Sequence, residues 1–277
     1  MTVRAYAHAA LDVTDVAAVR ACERDHPDVI LHCAGLTSAD LCEREPALAR
    51  AVHVDGTRHV AALARATGAR VFYSQSVFIF DGSVLPVTEA TEPTPGLIYG
   101  RLKLEAERHL LDTVPGTLAV REDQQHVARV VERVRRLPDA VTNLAVCLAV
   151  GEHAAECAGE LSDKVLVLFV AAEKPGQAHG GVGIYHMGAL GEATFFDTAQ
   201  ACVDALGLTE RVELRPCPAE VFSAAEAARR PHRMVTANER LDREGLNRQR
   251  PWRAALADYL GRPHFDALRL QDARNNG

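Results

Sequence analysis

Residues 69–107 read ARVFYSQSVFIFDGSVLPVTEATEPTPGLIYGRLKLEAE, and the order of apolar and turn-forming residues in this stretch decides the predicted fold. The apolar run at 70–79 is typical of a strand buried on both faces of a parallel sheet. A turn at 81–83 and a proline-rich loop at 88–96 separate that strand from a predicted helix at 97–111. A buried strand that leads through a loop into a helix is part of a βαβ unit.

The same alternation continues toward the N-terminus. The apolar run VILHCA predicts a second buried strand, and the helical pattern that follows it closes at Gly68, a residue type that commonly ends helices. The predicted elements before Gly68 are short strands at 3–7 and 11–15, a helix at 16–23, the buried strand at 29–34 and a helix at 47–66. Strands and helices that alternate at this spacing predict a doubly wound parallel α/β sheet.

The regular pattern stops after residue 120 and returns near residue 183. Within residues 121–181, the run at 126–136 has valines at helical spacing, and the apolar run at 163–173 is a candidate for a further buried strand. The alanine-rich stretch between them shows no clear period. The chain is therefore predicted to divide into three parts, at 1–120, 121–181 and 182–277.

Composition limits the classes of partner and site. The formal charge of −6 argues against nucleic acid or an anionic membrane as a partner, whereas an anionic nucleotide is compatible because backbone dipoles bind phosphate. The seven cysteines form no Cys-x-x-Cys pair and the twelve histidines no His-x-x-x-His pair, so we expect reduced thiols and no metal site. The N-terminus has no apolar signal region, which predicts a cytoplasmic location.

The residues that suggest chemistry are Tyr99 and Lys103, four positions apart at the start of the predicted helix. This spacing puts both side chains on one helical face, where an ammonium favours the phenolate form of a tyrosine. Ser76 lies near the end of the preceding strand, at the edge where open α/β sheets bind ligands. The alternative is structural, because Lys103 could pair with Glu107 one helical turn later.

Two stretches, YSQSVFIFDG (73–82) and TEPTPGLIYGRLKLEAE (91–107), resemble the active-site region of the dTDP-4-dehydrorhamnose reductase family. That family belongs to the extended short-chain dehydrogenases/reductases and is similar to the regulatory β subunits of methionine adenosyltransferase. The resemblance covers about 11–120 and 182–260. It implies a Rossmann-like NAD(P)-binding part at 1–120 and a small substrate-binding part at 182–277, joined by a divergent segment.

The resemblance also implies a reaction, namely NAD(P)H-dependent reduction of a nucleotide-linked 4-keto-6-deoxysugar. Tyr99 would donate a proton to the ketone oxygen, Lys103 would hold the cofactor ribose, and Ser76 would hydrogen-bond the substrate oxygen. The expected partner is the nucleotide-sugar, with a homodimer as the candidate assembly. The further residues expected beside the cofactor are Asp12, Val13, Cys33, Ala34 and Gly35.

The sequence departs from the family at two places. The family's first strand, glycine loop and first helix take roughly 25 residues ahead of a segment such as VRAYAHAALDVTD, which here follows Met1 almost directly. The predicted sheet therefore lacks its central strand and its pyrophosphate cradle, which leaves a gap flanked by bare apolar strand edges. The second departure is the segment 121–181, which does not resemble the family.

These departures keep three interpretations open. The first is an active sugar-nucleotide reductase that uses Ser76, Tyr99 and Lys103. The second is a non-catalytic homologue that binds a nucleotide or a partner protein, as the methionine adenosyltransferase β subunits do. The third is a gene fragment without a stable function.

Overall fold

The computed structural model of the chain describes residues 2–122, 143–147, 182–207, 209, 215–216, 218, 226–231 and 233–261. The predicted strand at 163–173 lies outside these residues. The described strands, in chain order, are β1 (Thr2–Tyr6), β2 (Val29–His32), β3 (Arg70–Ser76), β4 (Leu118–Glu122), β5 (Asn143–Cys147) and β6 (Gly183–His186). The described α-helices are α1 (Val16–Ala21), α2 (Ala39–Arg44), α3 (Pro46–Arg50), α4 (Gly56–Thr67), α5 (Ile98–Thr113), α6 (Phe195–Ala205), α7 (Glu239–Arg243) and α8 (Trp252–Leu260).

The strands form one sheet in the order β1-β5-β2-β3-β4-β6, and every neighbouring pair is parallel. All four residues of β2 are buried, as expected for a strand covered on both faces. Because every strand is parallel, the carboxyl ends of all six meet at one edge of the sheet. The predicted Rossmann-like parallel α/β fold is confirmed.

The position between β1 and β2 is occupied, which corrects the predicted gap. Strand β5 lies between β1 and β2 and pairs in parallel with both, so that Ala145 is in register with Arg4 on one side and Ile30 on the other. This strand belongs to the divergent segment rather than to the N-terminus. A segment distant in sequence therefore satisfies the backbone groups of β1 and β2 that the predicted gap would have left bare.

Helices α1, α4 and α5 pack together against the sheet. Asp15 caps α1 by accepting from the backbone N–H groups of Ala17 and Ala18, and Gly68 ends α4 with a φ of 75°. The predicted strand at 11–15 is wrong: the segment forms a turn in which Asp12 accepts from the Thr14 N–H and hydroxyl. The shared core contains Val19, Ile30, Val60, Leu63, Val71, Leu110 and Ala119.

The chain forms two compact units. The first comprises Met1–Met187 and Ala225–Asn247, and the second comprises Gly188–Ala224 and Arg248–Gly277. In the first unit the later segment is tied back by Asp40, which accepts from the Ala228 N–H and pairs with Arg230. The functional division at residues 120 and 181 stays a prediction.

The second unit contains the packed helices α6 and α8. Thr194 and Asp197 form a reciprocal capping box at the start of α6, and Leu190 exchanges backbone hydrogen bonds with Arg250 and Trp252 ahead of α8. Within the described ranges, no helix of either unit is long and apolar enough to cross a membrane.

We expect the backbone of β5 to stabilise the sheet, because this strand pairs on both sides. Ala145→Pro removes a ladder N–H and should lower the free energy of unfolding by about 3 kcal/mol or more. Ala145→Gly keeps the N–H and should cost only about 1 kcal/mol. Urea unfolding of both variants measures the difference, and equal losses would show that β5 does not pair on both sides.

Candidate functional site

The predicted catalytic residues gather at the carboxyl edge of the sheet. Ser76 is the last residue of β3, and Tyr99 and Lys103 lie in the first two turns of α5, which packs against β3. All three are buried, with 2%, 4% and 6% of their surfaces exposed. The strand and the helix position these side chains without a contribution from a flexible loop.

Lys103 is held by β3. Its ammonium donates to the Ser74 carbonyl oxygen at 2.5 Å and lies 4.0 Å from the centre of the Tyr73 ring. Burial lowers the pKa of Lys103 from 10.5 to about 8, and the nearby Cys33, Glu107 and Glu122 side chains offset part of that effect. Lys103 is therefore a cation that can lose its proton near neutral pH.

Ser76 has a fixed side chain. Its Oγ accepts from the Phe78 N–H at 3.2 Å, which caps the short 3₁₀ turn at Val77–Ile79. That turn replaces the last part of the strand predicted at 70–79. A hydroxyl oxygen that accepts one bond still carries its own proton, so Ser76 keeps the ability to donate to a ligand oxygen.

Gln75 connects the serine to the lysine. Its amide oxygen accepts from the Ser76 N–H at 2.8 Å, and its amide nitrogen donates to the Lys103 carbonyl oxygen at 3.0 Å. The same nitrogen donates to Glu107 at 3.1 Å. One buried side chain thus fixes the distance between the end of β3 and the second turn of α5.

Glu107 pairs with Arg121, not with Lys103 as the structural alternative supposed. Two parallel bonds join them, from Arg121 Nε at 3.1 Å and from Nη2 at 2.7 Å, and the two side chains are 1% and 3% exposed. A bidentate pair in a buried site is a strong charge-assisted interaction. Arg121 thereby fastens α5 to β4.

Tyr99 is enclosed by rings. His53 and Phe78 meet it edge-on, with centroids 5.3 Å and 6.3 Å away. Burial, together with the charge of Lys103, lowers the pKa of His53 to about 3, so the imidazole is neutral at physiological pH. Gly100 permits this packing, because a Cβ there would collide with the Phe78 carbonyl oxygen.

The residues predicted beside a cofactor fall into two groups. Cys33, Ala34 and Gly35 directly follow β2, and Cys33 is close enough to Lys103 to influence its pKa. Asp12 is engaged by Thr14, while the buried Val13 lies against Gly56.

Sequence reasoning missed Tyr73, Gln75 and Arg121, which touch Lys103 or its helix. Their signal was weak, because each lies in an apolar strand where polar residues are easily taken for packing. A second signal is the identity of Lys103: only three of the 31 Lys and Arg residues are lysines, at positions 103, 164 and 174.

In the part of the chain that the structure describes, no group of three His, Cys, Asp or Glu side chains could hold a metal ion.

Comparison with known proteins finds a matching family model and two kinds of relative. Residues 1–264 match the family model described as RmlD substrate binding domain. The dTDP-4-dehydrorhamnose reductase of Streptomyces griseus is 34% identical over 255 residues, covering 90% of this chain and 81% of the relative. Methionine adenosyltransferase 2 subunit beta of Xenopus laevis is 29% identical over 259 residues, covering 90% and 75%.

A solved structure shares the fold. The dTDP-4-dehydrorhamnose reductase of Bacillus anthracis, in complex with NADP, superimposes with a TM-score of 0.72 at 20% identity, covering 91% of this chain and 87% of that one. The likeness in structure thus extends over nearly the whole length of both proteins.

We expect Lys103 to titrate well below an ordinary lysine. With ¹³Cε-labelled lysine, the three lysine signals are resolvable, and Lys103→Arg identifies the one from position 103. That signal should report a pKa of about 8, since burial favours the neutral amine. The cation would then be present below about pH 8 and lost above it. A midpoint near 10.5 would contradict the burial of the ammonium.

The Glu107–Arg121 pair should be far more important for stability than exposed pairs on the same helix. Arg121→Met leaves the Glu107 carboxylate buried without its cation and should cost about 3–5 kcal/mol of unfolding free energy. Arg108→Ala removes a pair with Glu92 whose side chains are 58% and 81% exposed, and should cost below about 1 kcal/mol. Urea unfolding tests both, and a small loss for Arg121→Met would refute this assignment.

Proposed function

Because the chain belongs to the RmlD substrate binding domain family, we propose that it reduces a nucleotide-linked 4-keto-6-deoxysugar with NAD(P)H. The observation that carries the proposal is the convergence of Ser76, Tyr99 and Lys103 at one buried edge of the sheet. The relatives that are dTDP-4-dehydrorhamnose reductases support the substrate class. The reductase of Bacillus anthracis, which binds NADP, supports the cofactor class.

The residues at this edge fit the nicotinamide ribose of such a cofactor. Lys103 offers a buried ammonium with donors beyond the one used by Ser74, and an ammonium binds ribose hydroxyls as a donor. NAD(P)H, when bound, supplies the hydride for the carbonyl carbon. The pyrophosphate has no comparable support, because the 277 residues contain no Gly-x-x-Gly-x-x-Gly loop.

The chain's own residues supply the proton and the polarisation of the ketone. The Ser76 hydroxyl donates a hydrogen bond to the ketone oxygen and so polarises the carbonyl group. The Tyr99 hydroxyl transfers its proton to that oxygen as the carbonyl becomes an alcohol. The Lys103 ammonium stabilises the resulting Tyr99 phenolate, and its positive charge is available only below about pH 8.

A second candidate function is a non-catalytic binding role. The methionine adenosyltransferase subunit among the relatives gives this candidate a precedent. Such a protein would bind a nucleotide or a partner chain without transferring hydride. The two candidates differ in one observable, which is the consumption of NAD(P)H in the presence of a keto-sugar.

We expect the wild-type protein to bind NADPH or NADH, which nicotinamide fluorescence measures. The protein should oxidise the bound cofactor when a dTDP-4-keto-6-deoxysugar is added. Tyr99→Phe removes the proton donor and should lower kcat by about 10²- to 10⁴-fold while it leaves the dissociation constant of the cofactor unchanged. Arg108→Ala, an exposed change on the same helix, is the matched control and should retain full activity.

Two outcomes would overturn this proposal. A folded protein that binds neither cofactor would leave only the non-catalytic role. A Tyr99→Phe variant that reduces the keto-sugar as fast as the wild-type protein would exclude Tyr99 as the acid.

A further inference from the structure

The contact between Tyr73 and Lys103 is not used by the proposed chemistry. Tyr73 lies in β3 and is 1% exposed, and the Lys103 nitrogen lies 4.0 Å from the centroid of its ring. A cation within about 6 Å of an aromatic face is attracted by the negative charge of that face. The attraction is largest where water is excluded, as it is here.

Lys103 needs such a partner because its position is costly. A buried ammonium loses its hydration, and the hydrogen bond to the Ser74 carbonyl satisfies one of its three donors. Glu107 and Glu122 contribute charge from nearby, but Glu107 is already engaged by Arg121. Among the described residues, the aromatic ring in contact with the Lys103 ammonium is that of Tyr73.

The position of the ammonium is fixed by two adjacent residues of one strand. The Ser74 carbonyl oxygen binds the nitrogen along one direction, and the Tyr73 ring blocks its movement on another side. A single hydrogen bond would allow the long lysine side chain to rotate about the acceptor. A second contact from the neighbouring residue removes that freedom before a ligand arrives, which lowers the entropy lost on binding.

The ring of Tyr73, rather than its hydroxyl, makes this contact. Burial, with the nearby Tyr99 and Glu107 side chains, raises the pKa of Tyr73 well above 10, so the phenol stays neutral and is no competing acid. The imidazole of His32 lies 5.4 Å from the ring, centroid to centroid, and helps to fix its orientation. A phenylalanine would present the same face to Lys103.

We propose that Tyr73 is a positioning residue whose aromatic face holds the Lys103 ammonium in place for the cofactor ribose. The cofactor part of this inference rests on the proposed function. The contact between ring and ammonium does not, since it is a property of the protein alone. The test therefore needs one measurement on the free protein and one on the complex.

The experiment compares Tyr73→Phe, which keeps the ring, with Tyr73→Leu, which removes it. The first readout is the pKa of Lys103 in the free protein, from ¹³Cε lysine spectra. Tyr73→Leu should lower this pKa by about 1, because a desolvated cation–π contact is lost, and Tyr73→Phe should leave it within a few tenths. The second readout is the NADPH dissociation constant, which should rise about 10-fold in Tyr73→Leu and less than about 2-fold in Tyr73→Phe.

Each other outcome has a defined meaning. A folded Tyr73→Leu protein with an unchanged Lys103 pKa overturns the proposal, as does an equal loss in Tyr73→Phe, which would assign the effect to the hydroxyl. If Tyr73→Leu does not fold, Tyr73→Met fills more of the space and takes its place. If the wild-type protein binds no NADPH, the proposed function fails, and the pKa comparison still decides whether the ring holds the ammonium.

Discussion

The buried ion pair between Glu107 and Arg121 is the interaction on which the geometry of the site depends. It joins α5 to β4, and Gln75 extends the same network to the end of β3. Two charges taken out of water are costly unless they are paired and hydrogen-bonded, and here the bidentate geometry and the Gln75 amide satisfy the Glu107 carboxylate. Because the candidate catalytic side chains lie on β3 and α5, this network helps to fix their relative positions, together with the hydrogen bond from Lys103 to Ser74.

The lysine in the site has a different electrostatic character from the other basic residues. An arginine at position 103 would stay charged at every physiological pH, and its broad planar group needs several acceptors. A lysine is a compact cation whose pKa responds to burial, and here it is lowered to about 8. Consecutive residues of β3 contact its ammonium through a carbonyl oxygen and a ring. The protein thus holds this single cation with one carbonyl oxygen and one aromatic ring as its direct contacts.

In this protein, the features that complete the sheet differ from those that bind the pyrophosphate of a cofactor. A place in a parallel sheet requires only backbone N–H and C=O groups in an extended conformation, so β5 can lie between β1 and β2 although the sequence pattern predicted no strand there. A pyrophosphate cradle requires glycines at fixed positions, because backbone must approach the phosphates closely. The pairing of the sheet and the position of Lys103 therefore depend on residues other than glycines at fixed positions.

The sequence alone determined the alternation of strands and helices and the grouping of Ser76, Tyr99 and Lys103, because burial period and helical spacing are local properties. It failed at 11–15, where Asp12 and Asp15 bond to nearby backbone in place of forming a strand. Only the tertiary structure decided that β5 lies between β1 and β2 and that Glu107 binds Arg121. Those choices depend on segments far apart in sequence, and a guanidinium from β4 satisfies a buried carboxylate better than the lysine one turn away.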